Sequence, residues 1–106
     1  MLFHPHTPLL RKRRTDQIER AARELLSVTR TAIAERNNST EERVRIATSR
    51  LLIAVNEGGT VNDELCRAKQ QVVSASAYVI AAHDGIAKLE AAVSELVRLC
   101  TGRTAA

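Results

Sequence analysis

His83 is the one side chain whose setting invites a catalytic reading. It lies beside Asp84 in a long helical pattern, and an imidazole changes charge near neutral pH, as proton or phosphoryl transfer requires. His4 and His6 offer two metal donors, but a site needs three or four that converge, and no third is evident. Cys66 and Cys100 lack CxxC spacing, and Gly58-Gly59-Thr60 has neither the Lys nor the preceding strand of a phosphate loop. A Glu-x-x-His pair, which di-iron helical bundles use, is absent. The run Arg11-Lys12-Arg13-Arg14 suits phosphate backbones, although no recognition-helix pattern, zinc knuckle or aromatic platform accompanies it. We therefore expect no catalytic residue, no metal and no cofactor.

An exposed histidine in the middle of a helix, within an all-α bundle, is the arrangement of bacterial phosphotransfer proteins, and His83-Asp84 resembles it in outline. That family places a Lys-Gly-small segment just after its histidine. Here the run is Asp84-Gly85-Ile86-Ala87-Lys88, so phosphotransfer through His83 stays an alternative to the plainer reading of a polar residue beside a packing seam. Helical secretion substrates of similar length turn around a Trp-x-Gly motif, and this chain has no Trp.

The elements that would carry these residues follow from composition and periodicity. Phe3 and Tyr78 are the only aromatics, so a core must be built from Leu, Ile, Val and Ala, which favours helix on helix over a sheet sandwich. From Leu65 to Cys100 every seventh residue is apolar: Leu65, Val72, Val79, Ile86, Val93, Cys100. A second row follows three residues on, at Ala68, Ala75, Ala82, Leu89 and Leu96. These rows mark a helix with one continuous seam. Earlier, Ile18, Ala22, Leu25, Thr29, Ala32 and Ile33 form a helical stripe, widened by Leu26 and Val28. This first helix starts firmly at Asp16, or at Pro8 if packing extends it, and stops near Arg36. Ser39 with Glu42 reads as a capping box for a second helix over about residues 40–57, ended by a positive-φ glycine at Gly58-Gly59. Val44, Ala47, Leu51 and Ala54 make its inner row, with Ile46, Leu52, Ile53 and Val55 beside it. Asn62 or Thr60 caps a third helix that runs to Gly102.

The expected fold is a single all-α domain over 1–106: a three-helix antiparallel bundle with a long C-terminal coiled-coil-like helix. The segment 1–14 is expected to be a flexible basic tail. The alternative is a four-helix bundle broken near Asp84-Gly85, because Gly costs ~1 kcal/mol against Ala within a helix. In the three-helix form the last helix outruns its neighbours. Its apolar edge, Ile86, Leu89, Val93, Leu96, Val97 and Cys100, would then be covered by a second copy or a helical partner. On one straight helix Cys66 and Cys100 would stand about 50 Å apart, too far to bond.

Charge is uneven. Residues 1–50 carry eleven Lys+Arg against six Asp+Glu, whereas 51–106 carry five against six. A basic half admits nucleic acid as a partner through Arg11, Lys12, Arg13 and Arg14. Arg outnumbers Lys, as in proteins of GC-rich bacterial genomes. No stretch approaches the roughly 20 apolar residues of a membrane span, and the first residues lack the order of a secretory signal. Free thiols fit the cytoplasm. The resulting expectation is a non-enzymatic protein–protein interaction module of the adaptor, assembly-subunit or secretion-chaperone kind, acting through its C-terminal helix.

Overall fold

The computed structural model describes residues 8–58 and 62–102, with side chains from residue 13 onward. Among these the chain is all-helical: α1 (Pro8–Glu35), α2 (Asn38–Asn56), α3 (Asp63–Ala82) and α4 (Ile86–Thr101). Consecutive helices pack side by side, and α4 also closes against α1. The cross-section of 26 × 23 Å is that of a two-by-two array of helices each about 10 Å wide.

Local chemistry sets each boundary. α1 begins at Pro8, so residues 8–14 of the expected tail are helical, while 1–7 lie outside the described residues. It ends where Arg36 turns left-handed at φ 50°, donating its N–H to the Ala32 carbonyl at 2.9 Å. The capping box of α2 differs from the expected one. Asn37 is the cap: its Oδ1 accepts from the Thr40 N–H at 2.9 Å, and its own N–H donates to Thr40 Oγ1 at 3.2 Å. Asn is among the best capping residues, and starting there buries Thr40, so the Ser39/Glu42 pair falls inside the first turn. Positive-φ glycines among the described residues are Gly85 and Gly102, so Gly58 does not use the freedom expected of it; Gly59 and Thr60 lie outside. Asn62 caps α3 through its Oδ1, which accepts from the Leu65 N–H at 2.8 Å.

The expected long third helix is divided. His83 adopts the left-handed conformation (φ 57°, ψ 37°) and donates its N–H to the Val79 carbonyl at 2.8 Å, closing α3. Gly85 is left-handed again at φ 95° and opens α4, its carbonyl accepting from the Leu89 N–H at 3.2 Å. Asp84 Oδ1 accepts the Gly85 N–H at 2.8 Å between them. The chain therefore reverses over three residues, and α4 returns along α3.

Most of both heptad rows still points inward after the reversal. Leu65, Ala68, Val72 and Val79 of α3 and Leu89, Val93 and Leu96 of α4 are buried, together with Ile18, Ala22, Leu25 and Ala32 of α1 and Val44, Ala47, Leu51 and Val55 of α2. Burying each Leu contributes about 1.5–3 kcal/mol relative to exposure. Hydroxyls that enter this core are satisfied by the preceding turn: Thr29 and Thr48 donate to the carbonyls of Leu25 and Val44 at 2.6 and 2.8 Å.

The lengths place the overhang at the opposite end from expectation. α1 has 28 residues against 19 in α2, and their short connection keeps that end flush. About nine residues of α1, roughly 13 Å, therefore run past α2 at the N-terminal side.

Candidate functional site

The residues expected to form an interface are distributed by the reversal. Leu89 and Leu96 are 0 % exposed and Val93 is 2 % exposed, all inside the chain's own core. Ile86, Val97 and Cys100 are half-buried against the same core. Leu89, Val93 and Leu96 are thus covered by the chain's own helices, while Ile86, Val97 and Cys100 keep part of their surface exposed.

Of the cationic run, Arg13 and Arg14 are exposed on α1; the side chains of Arg11 and Lys12 lie outside the described residues, as do His4 and His6. His83 is at a helix end rather than mid-helix. Its Nε2 stands 3.6 Å from Glu41 Oε2, with both side chains mostly covered, which ties the α3–α4 corner to the start of α2. No group of three or more His, Cys, Asp or Glu among the described residues is placed to hold a metal ion. No helix is long and apolar enough to cross a membrane.

The reversal also brings Cys66 and Cys100 to the same end of the bundle, where an unbroken helix would have held them far apart. Both are free thiols, Cys66 exposed and Cys100 half-buried. Burial pushes the Cys100 thiol up from its ordinary pKa, and the nearby Lys69 ammonium offsets this in part. The thiolate is the reactive form, so Cys100 is expected to alkylate several-fold more slowly than Cys66 at mildly alkaline pH. Mass spectrometry of a timed iodoacetamide reaction checks this; equal rates would contradict the burial of Cys100.

What the hairpin creates on its outer side is a groove of about 600 Å³ between α3 and α4. Small side chains line its base: Ser74 and Ala75 from α3, Ala91 and Ala92 from α4. Arg67 and Gln71 stand along the α3 wall, and Lys88 stands on the α4 wall. At the corner end sits Tyr78, 56 % exposed. A Cβ on Gly85 would lie 2.9 Å from Tyr78 Cδ1 and 3.0 Å from Cε1, so the phenol ring rests directly on the glycine backbone. The ring is exposed yet seated, a pre-ordered aromatic at the mouth of the groove.

Comparison with protein-family models, with curated proteins and with solved structures found no match to this chain. The site is therefore described from its own geometry.

The groove's electrostatics separate it from its surroundings. Arg67 and Lys88 are exposed and make no ion pair among the described residues, and no carboxylate lines the groove. Glu95, further along α4, is engaged by Arg98 in a two-pronged pair at 3.0 and 2.6 Å. The Arg98 side-chain hydrogen bonds hold the Glu95 carboxyl below its ordinary pKa. Other cations are paired across helices: Arg30 with Glu90, and Arg50 with Glu24 at 4.0 Å. The exposed Ile46 and Ile53 stand one above the other on α2, and Val73 lies on α3. Ala75 belongs to the expected seam, and nothing in the sequence pattern sets Arg67 and Lys88 apart as walls of a groove.

Proposed function

We propose that this protein is a non-enzymatic interaction module that receives a helix of another protein in the groove between α3 and α4. The seated Tyr78 above a floor of Ala75, Ala91 and Ala92 carries this reading. Aromatic anchors with few degrees of freedom dominate many interfaces, and small floor residues let a second backbone approach closely. Helix-in-groove docking uses both features. The C-terminal helix remains the docking element, but through its outer edge at Lys88, Ala91 and Ala92 rather than through Leu89, Val93 and Leu96.

A photo-crosslinking residue at Ala91, compared with the same residue at Ala34 on the outer face of α1, tests the proposal in the native host. Both positions are exposed. The expected result is one discrete adduct from position 91 that position 34 does not give, lost when Tyr78 is replaced by Ala. Identical adducts from both positions, or none from position 91, would overturn it.

A nucleic-acid reading has one supporting observation: Arg13 and Arg14 are exposed on the part of α1 that outruns α2. Backbone binding there would weaken by orders of magnitude as salt rises. A binding curve insensitive to ionic strength would remove it.

A further inference from the structure

The groove's charge identifies its occupant more narrowly, given the docking mode proposed above. We infer that the α3–α4 groove takes an acidic amphipathic helix, with apolar side chains on the alanine floor and carboxylates on both flanks. Two exposed cations, Arg67 and Lys88, stand on opposite walls with no partner among the described residues, and the lining contains no acid to compete. Their placement fixes a spacing. α3 and α4 run antiparallel, so Arg67 lies near the start end of α3 and Lys88 beside its last turns. The separation along the groove is about 20 Å, three to four helical turns. The matching segment has about four turns, with a Glu or Asp near each end on opposite sides of its apolar stripe.

A second copy of the chain fits this surface poorly. A two-fold contact through the groove sets the same patch against itself, so Arg67 and Lys88 would meet Arg67 and Lys88. Like charges across an interface oppose association. The segments outside the described residues, 1–7, 59–61 and 103–106, contain no Asp or Glu, so none supplies the carboxylates from within.

The chain provides its own probe. Tyr78 is the single tyrosine and there is no tryptophan, so its emission reports the groove when the added peptide lacks both. Three synthetic helical peptides of about 14 residues share one Leu/Ala stripe and carry Glu, Gln or Lys on the flanks. The Glu peptide is expected to alter Tyr78 emission and to bind the full chain about tenfold tighter than the Lys peptide at low salt, the sum of two modest exposed ion pairs. High salt should narrow that gap. Arg67→Gln with Lys88→Gln should abolish the preference, and Arg67→Glu with Lys88→Glu should invert it. Circular dichroism verifies that these surface variants stay folded. Equal binding of all three peptides overturns the acidic preference while the groove itself stands. No emission change with any peptide overturns both. A single-stranded oligonucleotide that perturbs Tyr78 more strongly than the Glu peptide also overturns the inference, in favour of a nucleic-acid ligand.

Discussion

Replacing Leu89 by Ala is expected to lower the free energy of unfolding by about 2–5 kcal/mol, a large share of the roughly 5–15 kcal/mol of an ordinary domain. Leu89 is 0 % exposed and begins the buried row of α4, so its truncation removes core contacts and leaves a cavity. The size of the effect depends on where α4 lies. Were it the free end of a rod, Leu89 would face water or another subunit, and the isolated chain would lose little. Urea unfolding followed by circular dichroism, at two protein concentrations, separates these cases. The expected outcome is a lowered midpoint that does not move with concentration. A wild-type midpoint retained by the variant would place Leu89 outside the core.

Gly85→Ala is the second large test, because its sign discriminates between topologies. Gly85 sits at φ 95°, where an L side chain is strained by about 1–2 kcal/mol. An added Cβ would also meet the Tyr78 ring at 2.9 Å, so the ring must shift. The variant is therefore expected to be less stable by at least that amount, with altered tyrosine emission. In an unbroken helix the same change would stabilise by about 1 kcal/mol, since Ala is the better helix former. Combining it with Tyr78→Ala isolates the ring contact: the double variant should recover part of the loss, the non-additivity expected of touching residues. A gain in stability from Gly85→Ala alone would restore the single-rod topology.

The buried residues were easier to read than the path joining them. Ile18, Ala22, Leu25, Thr29 and Ala32 recur at helical spacing and are all buried, as is the inner row of α2 except Ala54, which is half-buried. Ile46 and Ile53, read as flanking that row, are exposed instead, because none of the described residues covers α2 on that side. The heptad rows of 65–100 named most of the inward residues of α3 and α4 without marking the corner between them. A seam that turns back on itself buries the same positions as one that runs on, provided the corner preserves the phase, and His83-Asp84-Gly85 does so. Ala82, in the inner row, is exposed beside the corner. The change from alanine to leucine along that row coincides with the change of helix. His83 itself could not be read, because a non-glycine residue in the left-handed region follows from tertiary packing rather than from residue type. The groove was illegible for a related reason. It exists only once α3 and α4 lie antiparallel, so neither wall announces it alone.

The order of the helices also governs how quickly the chain can find its native state. Each helix lies against its immediate successor, and the breaks at 36–37, 57–62 and 83–85 are brief. Little loop-closure entropy must be lost before each hairpin gains its contacts. Sequence-local topologies of this kind complete folding in microseconds to milliseconds. The marriage of α1 to α4, sealed by Arg30 and Glu90, is the one main pairing that spans nearly the whole chain. Joining those two ends is the step that should set the pace.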